Sequence, residues 1–237
     1  HFPVINNKII TAFNPSGIDR SSQEIGIFDI AGETISQLKE IKNGPLGSLP
    51  RSWVTINDRV LFLADDGVHG LEIWETNGTS LGTQLFFDTN PGTGDAQIEN
   101  ISVLNGKLFF LATQSNETGN KGLWMTDGEE ATTSLYHSFS NAWPIGQLAE
   151  DLYYFDDRKL WKASGQPGGV QQLMDLSLQT NSTSIGGRSY TSNGKLFYWF
   201  GSFGGALLTG VEPWVTDGTP EGSHLLKDIN PGVASSS

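Results

Sequence analysis

The sequence predicts an all-β chain: a β-propeller of about five four-stranded antiparallel blades, or five blades of a longer array. Two recurrent landmarks and the composition carry that expectation. Aromatics aligned on one motif fall at Phe28, Trp74, Trp124, Trp161 and Trp214, roughly 40 to 50 residues apart, the length of a four-stranded blade. Short polar turns between apolar runs recur with a similar period, at Asn6-Asn7, Asn57-Asp58, Asn105-Gly106, Glu150-Asp151 and Asn193-Gly194. Of 237 residues, 29 are Gly and 11% are aromatic, which suits many short strands joined by tight turns. The expected organisation is one propeller domain, residues 1–237, with blades at about 1–48, 49–96, 97–143, 144–186 and 187–237.

The second blade is the clearest. Residues 53–56 read as a first strand, and Asn57-Asp58 as a two-residue hairpin turn. Residues 60–64, Val-Leu-Phe-Leu-Ala, form a second strand apolar on both faces. The same continuous character recurs at 108–112, 152–155 and 196–200, as expected of strands buried between neighbouring sheets. A third strand follows at 71–75, a turn at 76–79 and a fourth strand at 83–88. Pro45, Pro91 and Pro231 mark unit boundaries, because proline cannot continue a sheet ladder. Residues 2–5 read as a first strand and 230–237 as a linker, which fits a closed ring or five units cut from a longer array.

With 14 Lys and Arg against 26 Asp and Glu, the net charge is −12, which repels a nucleic-acid backbone or an anionic membrane. No apolar run reaches the ~20 residues of a membrane helix, and no leader precedes His1, so a soluble, processed or excised chain is expected. The absence of cysteine excludes thiol chemistry and a disulfide framework.

The stretch Gly210-Val-Glu-Pro-Trp-Val-Thr-Asp-Gly-Thr-Pro-Glu-Gly-Ser-His-Leu-Leu-Lys-Asp-Ile-Asn-Pro-Gly232 resembles the ELWxxDGT repeat of bacterial secreted and surface-anchored proteins. Gly70-Leu-Glu-Ile-Trp-Glu-Thr-Asn-Gly-Thr-Ser-Leu-Gly-Thr83 is similar, with Asn77 where the repeat has Asp. Blade three keeps part of it around Trp124 but has Gly122 where the repeat has Glu, and blades one and four keep traces. The resemblance implies a propeller-like extracellular module and brings no catalytic residues. Trp74, Trp124, Trp161 and Trp214, with Gly78, Gly128, Gly165 and Gly218, are its structural positions.

Glu72, Glu212, Asp127 and Asp217 admit two readings: paired acids for acid/base chemistry, or scaffold. In the scaffold reading the two Asp bond backbone in the turn before Gly, and recurrence in several blades favours it. No cofactor is expected. Calcium is a weak candidate at Asp88 and Asn90 and at Asp228 and Asn230, where turn capping is the competing reading. The four His are scattered without paired spacing, which argues against a transition-metal site. No nucleophile elbow, P-loop or dinucleotide fingerprint is present. Asn77, Asn100, Asn116 and Asn181 begin glycosylation triplets.

Connections between blades, and between second and third strands, share one propeller face, and there the copies differ most: 43–51, 65–69, 113–120, 140–145 and 201–210. They or their flanks carry Arg51, Trp53, Asp66, His69, Trp143 and Phe203, a set suited to stacking on sugars and fixing them through polar groups. Trp53 and Trp143 equally suit a plug at the centre of the ring. The expected function is non-catalytic extracellular or cell-surface recognition or adhesion, with a glycan, a protein or a neighbouring domain as partner. The alternatives are a building block of a surface layer or filament, and a hydrolase or lyase with its site in the central channel near Arg51 and Arg188.

Overall fold

The computed structural model describes residues 2–14, 17, 20–113, 121–140, 142–178, 180, 182–203 and 209–232, with side chains for all but 182–187 and 202–203. Five four-stranded antiparallel sheets follow one another along the chain, each with its strands side by side in chain order. This is the repeating blade of a β-propeller. Blade one holds β1 (Val4–Ile5), β2 (Lys8–Phe13), β3 (Glu24–Asp29) and β4 (Thr34–Lys39). Blade two holds β5 (Arg51–Ile56), β6 (Arg59–Asp65), β7 (Leu71–Thr76) and β8 (Gln84–Phe87). Blade three holds β9 (Glu99–Leu104), β10 (Lys107–Thr113), β11 (Lys121–Thr126) and β12 (Ser134–Phe139). Blade four holds β13 (Trp143–Leu148), β14 (Asp151–Asp156), β15 (Lys159–Ala163) and β16 (Val170–Asp175). Blade five holds β17 (Ser182–Ser192), β18 (Lys195–Phe203), β19 (Gly210–Thr216) and β20 (His224–Leu225).

The chain divides into two compact units, His1–Ser138 and Phe139–Ser237, each described by itself below. The blade limits predicted at 143 and 186 fall inside strands, because β13 starts at Trp143 and β17 already at Ser182. Ser, Thr and Gly fill that early part of β17, so neither apolar alternation nor a turn residue signals a strand there. The predicted hand-over from Ser237 to His1, and the triplets beginning at Asn116 and Asn181, lie outside the described residues.

Four hairpins follow from left-handed pairs at Asn6-Asn7, Asn57-Asp58, Asn105-Gly106 and Asn193-Gly194, with both central φ angles between 46° and 73°. That geometry matches the twist of the flanking strands, and Asn and Gly adopt it at low cost. Blade four differs: Leu148 pairs with Asp151, so its turn is Ala149-Glu150, one residue earlier than predicted, with Ala149 at φ 51°. Blade four also joins its second and third strands by the tight turn Asp157-Arg158, where the other blades carry a longer connection.

Packing of blade on blade explains the apolar second strands. In the first unit, residues 60–64 of β6 and 108–112 of β10 are buried along their length. Phe62 and Trp74 join Ile10 and Ile25 of blade one in one core, while Leu61 and Ile73 join Leu108 and Phe110 of blade three in another. In the second unit, Tyr153, Phe155 and Leu160 pack with Tyr198, Phe200 and Trp214. There β18 departs from expectation: Leu196, Tyr198 and Phe200 are buried, but Phe197 and Trp199 are half-buried, the alternation of a strand with one packed face.

Phe62 is 0% exposed, so Phe62→Ala leaves a cavity and is expected to cost ~3–5 kcal/mol in urea unfolding. Leu81 is 94% exposed, and Leu81→Ala is expected to stay within ~0.5 kcal/mol of the parent.

Candidate functional site

The repeated acids bond the backbone of their own blades. Glu24, Glu72 and Glu212 are all buried on third strands, and each accepts the backbone N–H of the residue 17 positions on: Ile41, Thr89 and Ile229. Glu24 and Glu212 also accept from the residue 18 positions on, Lys42 and Asn230. Each carboxylate therefore holds the chain that leaves the fourth strand against the third. The contact also corrects the blade-one alignment. Glu24 takes the place of Glu72, which sets Gly26, not Phe28, at the Trp74 position. A Cβ on Gly26 would lie 2.3 Å from Phe13 Cβ, so Phe13 occupies the space a larger side chain would need.

The turn after the third strand is built by side chains. Asn77 Oδ1 accepts from Thr79 N at 3.0 Å and Thr79 Oγ1 at 2.7 Å, and Asp217 Oδ1 does the same with Thr219 at 2.9 and 2.6 Å. Those bonds, the Thr219 hydroxyl first, hold the exposed Asp217 carboxyl below the usual carboxylate range. Asp127 accepts from Glu129 N and the Thr132 hydroxyl. Gly78, Gly128, Gly165 and Gly218 all have φ between 73° and 98°. Trp74 and Trp214 are buried and Trp124 lies stacked on Phe110, while Trp161 meets Phe139 edge-on.

The predicted binding residues separate. Asp66 and His69 come together on the connection between β6 and β7: Asp66 Oδ1 accepts from Val68 N and His69 N, and Oδ2 lies 2.7 Å from His69 Nδ1. Burial pushes the Asp66 carboxyl up, but the His69 and Val68 bonds outweigh it and hold it below its ordinary value. The same contact raises the His69 imidazole. Arg51 opens β5 and is exposed. Trp53, two residues on, is half-buried and stacked on Phe62 with centroids 5.1 Å apart. Trp143, in the second unit, is 52% exposed. The Phe203 side chain lies outside the described residues. Asn90 Nδ2 donates to Gly94 O at 3.1 Å, as a turn cap does, whereas Asp88 and Asp228 each keep a buried Oδ1 without a partner. Among the described residues, no three His, Asp or Glu side chains gather as a metal site.

Sequence reasoning missed the feature that most resembles a site. Leu49 and Ser52 on one side, Gln97 and Asn100 on the other, hold φ between 49° and 57° without being glycine. They occupy matching places, since Arg51 pairs with Leu63 and Glu99 with Leu111 just before a bulge in β5 and in β9. Non-glycine residues in this region cost ~1–3 kcal/mol and cluster at functional sites. Between the two strands lies a cavity of about 270 Å³ lined by Ser52, Trp53, Ile98, Glu99, Asn100 and Ile101. Ser carries no left-handed preference, so nothing in its identity signals the bulge.

No family model matches the chain, and no curated protein matches it. Solved structures do. The chain superposes on a puromycin hydrolase at 12% identity and TM-score 0.55, over 94% of its own length and 37% of that chain. It matches a puromycin-hydrolyzing peptidase of Mycobacterium tuberculosis at 12% identity and TM-score 0.57, over 93% and 35%. The β-propeller domain of the Trilobed protease from Pyrococcus furiosus is 13% identical, with TM-score 0.44 over 92% and 68%. The chain thus spans little more than a third of the first two, and identities this low show fold alone.

Desolvation raises the Glu72 carboxyl to about 7, against the bonds from Thr89 that favour its charge. The folded value lies above the ordinary 4.5, so the native state holds the proton more tightly. The contribution of Glu72 to stability is therefore full below about 4.5 and is lost as pH rises through about 7. Urea titrations between pH 5 and 8 are expected to show a fall of up to ~1.4 kcal/mol per pH unit that Glu72→Gln removes.

Proposed function

We propose that this chain is a non-catalytic recognition or adhesion module working outside the cell, its binding surface set by the inner strands and connections of its blades. One observation carries the reading. Arg51, Glu99 and Trp143 occupy the same register position, paired with Leu63, Leu111 and Phe155, each next to the aromatic that faces the blade's Trp. All three are exposed, and they are a cation, an anion and an aromatic. Over a recurrent frame, one position that varies in chemistry while staying open to solvent suits a surface that meets a ligand. The resemblance to ELWxxDGT repeats supports a secreted or surface setting. The motif acids support a non-catalytic role, because backbone donors engage them.

The test is binding of the purified chain to a glycan array and to a panel of purified extracellular matrix proteins, with an Arg51→Ala/Trp143→Ala double variant alongside. Binding to at least one class is expected, weakened about tenfold or more in the variant at unchanged melting temperature. Blank results in both panels at high micromolar protein would remove the proposal, as would concentration-dependent assembly into filaments.

A further inference from the structure

We propose that Asn43 is a deamidation site, the one Asn-Gly pair of four that the fold leaves competent for ring closure. The chemistry needs only water. The amide nitrogen of Gly44, its proton taken by hydroxide, attacks Asn43 Cγ; an N–Cγ bond forms, the Cγ–Nδ2 bond breaks, and ammonia leaves with a proton returned from water. A second water then opens the succinimide at either carbonyl, giving aspartate or isoaspartate at position 43.

Asn-Gly pairs stand at 43–44, 77–78, 105–106 and 193–194. Glycine after asparagine permits the attack because no Cβ shields its nitrogen, so sequence alone ranks the four equally. The structure separates them. At Asn77 both reacting groups are held: Oδ1 accepts from Thr79 N at 3.0 Å and Thr79 Oγ1 at 2.7 Å, and Gly78 N donates to Thr76 Oγ1 at 3.1 Å. The pairs at 105 and 193 are two-residue turns closed by Leu104 opposite Lys107 and Ser192 opposite Lys195. Asn105 and Asn193 are left-handed there, with φ of 51° and 49°. A left-handed residue sends the next amide nitrogen to the side away from its own Cβ, whereas reaction calls for the two groups within about 3–3.5 Å.

Asn43 meets none of these restraints. It lies in the connection between β4 and β5, outside any strand, and both it and Gly44 are exposed. Its backbone is not in the left-handed region. Among the described residues, no group hydrogen-bonds to the Asn43 carboxamide or to Gly44 N. A Cβ built on Gly44 would meet nothing within 4 Å, so nothing crowds the approach. The span runs between firm anchors: Ile41 N and Lys42 N bond Glu24 before it, while after it Gly47 N bonds Ser21 O and Ser48 N bonds Glu24. Isoaspartate therefore inserts a backbone methylene between two fixed points, and either product adds a negative charge to the connection that leads to Arg51.

Peptide-mapping mass spectrometry of the intact chain, held folded at mildly alkaline pH, tests this, with a protein isoaspartyl methyltransferase and S-adenosylmethionine reporting isoaspartate. Conversion at position 43 is expected to run about tenfold or more faster than at 77, 105 or 193. Asn43→Gln is expected to remove most of the methyl-accepting signal, since the longer side chain closes a larger ring far more slowly. The same chain unfolded in urea is expected to react at all four pairs at comparable rates, because only the fold distinguishes them. No conversion at 43 in the folded chain, or a rate there matched at any of the other three, overturns the site. A lead for 43 that persists undiminished in urea overturns it too, since the ranking would then owe nothing to the structure.

Discussion

The buried carboxylate on the third strand is the contact on which blades one, two and five depend. Glu24, Glu72 and Glu212 each tie the backbone that leaves the fourth strand to the strand before it, and so fix where the next connection starts. A carboxylate is costly to bury, and charge-assisted bonds of ~1.5–3 kcal/mol each offset that cost only when several are made. Glu24 is the best served, with Ser48 N and the Ser48 hydroxyl added to its two linker amides. Glu72 has the Thr89 amide and hydroxyl, and a neighbouring Asp88 whose charge adds to its desolvation. One device thus runs from four donors at Glu24 to two at Glu72 within a single chain. Blades three and four dispense with it, carrying Gly122 and Lys159 at the corresponding positions.

The turn after the third strand shows how much sequence change the frame absorbs. Asn77 replaces the repeat's Asp, yet its carboxamide oxygen accepts the same two bonds from Thr79 that Asp217 accepts from Thr219. What the turn requires is an oxygen acceptor, not a charge. It also requires glycine five residues on: a Cβ at Gly82 would sit 2.1 Å from Asn77 Oδ1, and one at Gly222 would sit 1.9 Å from Asp217 Oδ1. The Thr79 hydroxyl then accepts from Gly82 N, and Thr219 from Gly222 N, closing the loop in both blades. The motif is therefore a small hydrogen-bonded network whose letters each have a partner.

The fold was legible because its signals are local. Asn-Gly and Asn-Asn pairs adopt left-handed turns by their own chemistry, and strands buried between sheets read as unbroken apolar runs. What escaped depended on distant partners. Phe28 stood in for the motif aromatic because spacing alone cannot reveal that Phe13 fills the place where a Trp would lie. Ala149 turns left-handed because the strands on either side impose it, and an acidic pair nearby offered a stronger but misplaced signal. At the candidate site, Asp66 and His69 are three residues apart and their pairing lay within reach of sequence. The cleft beside Trp53 did not, since it forms where two bulges from different blades face each other.

A repeat separates what a position must do for the blade from what it is free to do. Where the copies agree, the side chains serve the frame: the carboxylates bond amides, the Thr hydroxyls close turns and the Trp rings pack against neighbouring aromatics, although Glu72 Oε1 and the Nε1 groups of Trp74, Trp124 and Trp214 stay buried without a hydrogen-bond partner. Where they disagree, at Arg51, Glu99 and Trp143, the backbone still follows one rule, since the ladder is interrupted just beyond each of the three. A shared irregularity carrying unlike side chains is hard to explain by stability, which would favour glycine at the bulge and one good residue beside it. It fits a backbone that presents side chains, kept in shape while its chemistry diverges.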